Sequence, residues 1–567
     1  MRYAFICDVQ LIVIYCTKIY LMTNLFKKVY GFALGGALLF NVVAQAQTGI
    51  TVAPPLPKNW HQLDYKTDGY YGISLKQAYL FLKGKKSKTV VVATIDSGCD
   101  TAQTDLKSVL WVNPKEIPGN GIDDDHDGYV DDVHGWNFLG GPNGKCDFNE
   151  TTEEIREYAR LKDKYLGTPA ASATDKKEYA YWLKVLAVHD STVAKSSEEL
   201  KQLSPMMNAL EVTSGVIKKT LRLPANGSFT QADLNKLQAT DDTLKQSKNI
   251  WSMIFQQEPN ASSSKILSEL NEELTKDNND INPDLDARKA IVGDNPDDNS
   301  NPHYGNNIVK WEDASHGTGV AGLIGAVRNN GYGIDGVADN VRIMPIKAVP
   351  NGDEYDKDIA NAIRFAVDHG ARIINMSFGK KLSPHKDWVD AAFKYAASKN
   401  VLLVQAAGND NQDVDVKPQY PSDTFADGSG TDAANVICVG ASAARLDKDL
   451  ASSFSNYGKK GVDVFAPGVK VTSIDKDAEF NTADGTSFAS PITAGIAALV
   501  MEYYPKLSAR QVKQVILQSA KPLTGVKVLL PGSQDKMVDF TSLSKTGGIV
   551  NAYQALLIAS KMKGELK

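Results

Sequence analysis

Three short segments carry the residue types of a charge-relay nucleophile: Thr94-Ile95-Asp96-Ser97-Gly98, Ser315-His316-Gly317-Thr318-Gly319 and Gly485-Thr486-Ser487-Phe488-Ala489-Ser490-Pro491. A serine hydroxyl is nearly inert at neutral pH and attacks a carbonyl only when a positioned base accepts its proton. His316 is the candidate base and, on the return step, the acid. Asp96 would fix the imidazole tautomer and stabilise the imidazolium without taking the proton itself. Each residue also has an ordinary structural use: Gly-Thr-Ser caps helices, Asp at a strand end caps a turn, and a single His is most often structural. The length of the strings favours chemistry. Among 8 histidines only His316 stands in such a string, whereas His189, His369 and His385 lie in or beside charged helical patterns and read as surface residues.

The order of the three residues separates folds that share this chemistry. An α/β-hydrolase runs Ser, Asp, His with its nucleophile in a Gly-x-Ser-x-Gly elbow, and Ala489 breaks that elbow here. With the order Asp, His, Ser, the chain resembles the subtilisin-like serine peptidases (subtilases) over residues 70–145 and 300–560. The resemblance implies an α/β, three-layer α/β/α fold with a mainly parallel central sheet, and endopeptidase chemistry through an acyl-enzyme on Ser487. It also implies that Asn409, in Ala406-Ala407-Gly408-Asn409, meets the oxyanion together with the Ser487 backbone N–H. Ser377-Phe378-Gly379 and Ala407-Gly408 would lie along the substrate groove, where an extended peptide pairs with edge strands. The rival is a non-catalytic scaffold that keeps the fold for peptide or calcium-dependent binding. The intact Asp96, His316, Asn409 and Ser487 argue against it.

The elements that must position these residues are legible as alternating strands and helices. Thr89–Ile95 is short, largely β-branched and mostly apolar on both faces, as a central parallel strand should be, and Asp96 stands where it ends. Further strands are expected over Arg342–Ala348, Ile373–Met376, Val401–Ala406, Val436–Gly440 and Val462–Phe465. Helices are expected over Leu75–Leu82, Tyr355–His369, Trp388–Lys399 and Ser487–Tyr504. Asp96 and His316 lie 220 positions apart, far more than one strand and helix require. Residues 150–295, rich in Glu, Lys, Leu and Ala at helical spacing, read as a helical insertion, with helices at Glu153–Tyr165 and Glu178–Val188. Its readings are a lid, a substrate-selecting arm, a self-inhibitory element or a surface decoration. Residues 47–149 and 296–567 form the peptidase domain around it.

Asn120-Gly121-Ile122-Asp123-Asp124-Asp125-His126-Asp127-Gly128-Tyr129-Val130-Asp131-Asp132 concentrates carboxylates in a Gly-containing loop. The spacing of Asp123, Asp125, Asp127 and Gly128 resembles the first half of an EF-hand loop, but His134 stands where a bidentate Glu belongs. Asp131 or Asp132 would have to complete the shell. Oxygen ligands favour structural Ca2+, with His126 and His134 leaving a mixed site open and a solvated acidic turn as the alternative. No organic cofactor is expected.

Composition is that of a globular chain, with 43% hydrophobic and 23% charged residues. A formal charge of -5 without a Lys/Arg-rich run argues against nucleic acid as a partner; proteins or peptides are the expected ones. Residues 1–46 read as a targeting region. A start at Met22 is followed by Lys27-Lys28, an apolar run from Val29 to Val43, and the small-residue cleavage signal Ala44-Gln45-Ala46. An exported, periplasmic or extracellular chain with no stable membrane anchor after leader removal is the expectation. Beyond the leader stand Cys99, Cys146 and Cys438, an odd number that allows one bridge, such as Cys99 with Cys146, or buried unpaired thiols, the reading preferred here.

Overall fold

The structure is a computed structural model that describes residues 56–258 and 261–567; the leader expected over residues 1–46 lies outside them. Seven strands form one parallel sheet: β1 (Val90–Asp96), β2 (Trp136–Asn137), β3 (Val341–Lys347), β4 (Ile373–Met376), β5 (Leu402–Ala406), β6 (Val436–Ser442) and β7 (Val464–Pro467). Their order is β2-β3-β1-β4-β5-β6-β7, so the chain turns to opposite sides of β1 and the strand order reverses there. Crevices at the carboxyl ends of strands beside such a reversal are where open α/β sheets bind ligands. Asp96 is the last residue of β1.

Side chains alternate across the sheet because the strand period is two. Val90 and Val92 pack into one core and Ala93 and Ile95 into the other. Helices fill both layers. Leu75–Leu82 (α1), Ser315–Gly325 (α6), Thr486–Tyr503 (α9), Ala509–Ser519 (α10) and Ala552–Ala559 (α11) cover the first face; Asp356–Asp368 (α7) and Lys386–Ser398 (α8) cover the second. The expected strands and helices recur within a residue or two at most ends. The two-residue edge strand β2 and the antiparallel pair β8 (Val471–Ile474) and β9 (Phe480–Ala483) carry no periodicity that could announce them.

Between β2 and α6 the chain forms helices α2 (Glu153–Tyr165), α3 (Lys176–Leu221), α4 (Asp242–Gln257) and α5 (Ser263–Ile281). The second is 46 residues long and continues well past Val188, through Pro205. An interior proline removes a helix hydrogen bond, so the sequence pattern breaks there. Tertiary burial of Leu203, Leu210 and Ile217 carries the helix across the break. With Phe229, Trp251 and Phe255 these residues form an apolar cluster separate from the two sheet cores. Charge pairs fasten the insertion to the sheet domain: buried Lys380 to Glu153 at 2.6 Å, and exposed Lys381 to buried Glu154 at 2.9 Å. Cys99, Cys146 and Cys438 are buried free thiols. Among the described residues no helix is long and apolar enough to cross a membrane.

Candidate active site

The end of β1 and the start of α6 meet at a distance that only small residues allow. A Cβ on Gly317 would lie 1.9 Å from the Gly98 carbonyl oxygen, and one on Gly98, at φ +101°, 2.2 Å from that of Val309. This close approach sets His316 against Asp96: Nδ1 donates to Asp96 Oδ1 at 2.7 Å, since a carboxylate can only accept. The same oxygen accepts the Ser97 amide at 2.8 Å. Behind it, the fully buried Lys347 bonds the Ser97 carbonyl at 2.8 Å and pairs with Asp313 at 2.6 Å, bracing the turn that carries Asp96. Burial would depress the His316 imidazole, but the Asp96 carboxylate, with Asp475 beyond it, holds its pKa above the ordinary value of 6.5.

Ser487 is the second residue of α9 and lies at its partly positive amino end. Its neighbours explain the rest of the motif. Ser490 Oγ donates to Asn375 Oδ1 at 2.8 Å, Asn375 Nδ2 to Ser377 Oγ at 2.9 Å, and Ser377 Oγ to the Ser487 carbonyl at 2.9 Å. This chain of bonds locks the start of α9 onto the end of β4. Asn409 Oδ1 accepts both the Thr486 amide and hydroxyl at 2.9 Å, so its Nδ2 is turned the other way. A Cβ built on Gly485 locates the result. It would lie 2.7 Å from Ser487 Oγ, 3.6 Å from the Ser487 amide nitrogen and 3.7 Å from Asn409 Nδ2, so all three groups border one small space. A hydroxyl and two N–H donors around one point is the arrangement an attacked carbonyl needs.

Two of the expected groove residues, Gly379 and Gly408, approach one side chain. Gln419, which sequence reasoning missed because nothing marks it locally, lies between them: its Nε2 is 3.0 Å from a Cβ placed on Gly379 and its Cδ 3.3 Å from one on Gly408. Phe378 is half-buried against the second sheet core. Next to Ala407 a cavity of about 670 Å3 is lined by Gln405, Gln419, Tyr420, Asp423 and Cys438, among others.

The Subtilase family (Peptidase_S8) matches residues 87–547. The chain belongs to the subtilases. Over 245 residues this subtilase is 37% identical to the thermophilic serine proteinase of Bacillus sp. (strain AK1), covering 43% of this chain and 54% of that protein. It is 33% identical over 236 residues to the cell wall-associated protease of Bacillus subtilis (strain 168), covering 41% and 24%. To thermitase of Thermoactinomyces vulgaris it is 32% identical over 276 residues, covering 48% and 83%. The chain thus spans about half the length of the first relative and a quarter of the second.

The acidic loop is reorganised relative to its sequence frame. Asp131 does not join the others: its carboxylate accepts the amides of Gly119 at 2.8 Å, Asn120 at 3.2 Å and Gly121 at 2.8 Å. Ligand atoms of Asp125 converge instead with Asp127 and His369 on one side and with Asp123 and Glu116 on the other. Asp132 Oδ2 lies 3.1 Å from His369 Nε2 and Asp127 Oδ2 lies 2.7 Å from it. His369 is therefore no surface residue; its side chain is 8% exposed. Burial would lower its pKa, but Asp132, the Phe365 carbonyl and Asp127 push it up to about 9. His126 is exposed and His134 Nδ1 is engaged with the Trp111 carbonyl at 2.9 Å. One enclosed oxygen, Asp125 Oδ1, has no hydrogen-bond donor, whereas Asp132 Oδ2 faces His369 Nε2. Glu116 and His369 could not be found from sequence, because neither belongs to the Asp-rich string.

Proposed function

We propose that this subtilase is an exported endopeptidase that hydrolyses peptide bonds by acyl transfer through Ser487. The observation that carries the reading is the space beside Gly485, bordered by the Ser487 hydroxyl, its own amide and Asn409 Nδ2. A substrate carbonyl there is attacked by Ser487 Oγ while His316 takes the proton. Asp96, bonded to Nδ1, keeps the opposite ring nitrogen as the acceptor. The oxyanion is met by Asn409 and the Ser487 amide, and His316 returns its proton to the leaving amine. Water then enters by the same route to release the acyl group. Peptide backbone beside Ser377–Gly379 and Ala407–Gly408 would hold the scissile bond in place. The export part of the reading rests on the leader signal in the sequence.

A fluorophosphonate probe incubated with the purified chain should label Ser487 and no other serine, read by peptide mass mapping. Labelling elsewhere, or none at all in folded protein, sinks the assignment. Because His316 must be neutral to accept a proton, and its pKa is held above 6.5, kcat/KM should fall away on the acid side with a midpoint above that value. A midpoint at or below it would contradict the Asp96 contact.

For the acidic loop we infer a structural Ca2+ held by Asp125 and Asp132, with Asp123, Asp127 and Glu116 around them. The donor-less Asp125 Oδ1, with the carboxylates of Asp123, Asp127 and Glu116 converging beside it, fits a hard cation. Asp131 would support the loop backbone. Bound calcium would neutralise clustered carboxylates and take no part in the peptide chemistry. A cation bound by the native state alone adds about 2.7 kcal/mol at a hundredfold excess over Kd. Chelation should therefore lower the melting temperature, and Asp125→Ala should remove the calcium dependence. Coincident melts with calcium and with chelator would leave the loop as an ordinary turn stabilised by His369.

A further inference from the structure

The helical insertion has no part in the chemistry described above, yet one of its side chains grips a carboxylate that is bonded to the start of the helix carrying His316. Lys265, in the first turn of α5, places Nζ 2.5 Å from Asp475 Oδ2. The two side chains are 11% and 4% exposed, so water screens the pair little. The other carboxylate oxygen, Oδ1, accepts Ser315 Oγ at 2.5 Å and the Lys476 amide at 2.7 Å. Ser315 opens α6 and directly precedes His316. One carboxylate is thus gripped from one side by the insertion and from the other by the catalytic helix.

We propose that Lys265 is a positioning residue for the reaction: by holding Asp475 and offsetting its charge, it fixes the start of α6 and the surroundings of His316. This rests on the reading of His316 as general base. The imidazole is faced by Asp96 from β1, by the Phe488 ring of α9 at 6.0 Å, and by Asp475 just past the end of β8. Around Asp475 the other charges are committed to different partners. Lys310 pairs with Asp100 at 2.9 Å and Asp477 at 3.2 Å, Lys347 with Asp313, and Lys476 Nζ bonds the Glu312 carbonyl. From α5, Glu269 lies 3.9 Å from Lys265, and Glu272 also bears on Asp475. Lys265 is the cation in direct contact with the Asp475 carboxylate, and it belongs to the insertion. Asp475 raises the His316 pKa, and losing its counter-charge should raise that pKa further.

The sign of the effect makes the test. Lys265→Gln keeps a hydrogen-bond donor toward Asp475 but removes the charge, and Ser315 and Lys476 still hold the carboxylate in place. In the full chain, with kcat/KM for a fluorogenic peptide followed against pH, the acid limb should move up by about half a unit, roughly a threefold loss at fixed acid pH. Asp475→Asn should move it down by a similar amount, and Lys265→Arg should restore the original profile. A mere staple between insertion and sheet domain predicts lower melting temperatures with superimposed pH profiles. Superimposed profiles in a chain that cleaves peptides and takes the fluorophosphonate on Ser487 overturn the Lys265 inference alone. A chain that does neither removes the catalytic reading and this inference together.

Discussion

Ser487→Ala should lower peptide hydrolysis by about six orders of magnitude, the loss found when a subtilisin itself is stripped of its nucleophile. The fold should be unaffected. Only Oγ is removed, whereas the bond that ties this residue to the sheet runs from Ser377 Oγ to the Ser487 carbonyl and survives the substitution. Residual turnover would come from the oxyanion donors and binding alone. The measurement is kcat on purified protein whose circular dichroism and melting temperature match those of the unaltered chain. Near-normal hydrolysis by such a variant would mean that the chemistry lies elsewhere.

Asn409 performs two tasks that two substitutions can separate. Asn409→Ala should reduce kcat by roughly 10²–10³ with little change in KM, because the side-chain amide acts on the transition-state oxygen; this is the range reported for the equivalent donor in a subtilisin. It should also cost about 1 kcal/mol of stability, since Oδ1 accepts both the amide and the hydroxyl of Thr486 at the start of α9. Asn409→Asp keeps those two acceptor bonds while removing the donor. It should melt close to the unaltered chain yet be at least as impaired in turnover as Asn409→Ala, since a carboxylate would face the developing oxyanion. If both variants change KM alone, Asn409 is a binding residue and the oxyanion is met by the Ser487 amide without it.

The amino-acid sequence by itself determined the residues of the candidate active site and the layers that hold them. Asp96, His316, Asn409 and Ser487 sit in strings whose chemistry is local: a strand end, two helix starts and a turn, each marked by small residues at fixed offsets. The parallel strands were legible for the same reason, since burial on both faces favours a mostly apolar run such as Val90–Ile95, in which Thr94 alone is polar. What the tertiary structure alone decided are pairings between residues far apart in the chain. His369 belongs to a charged helical pattern and reads as exposed, but the fold carries it 242 positions back to Asp127. Asp131 has the composition of a ligand, yet three backbone amides claim it. The length of α3 through Pro205 and the reach of Lys265 to Asp475 depend on packing against partners that no local window contains. Periodicity and motif spacing record what a residue needs from its neighbours in the chain; the partner that satisfies a buried charge is chosen by the folded surface it meets.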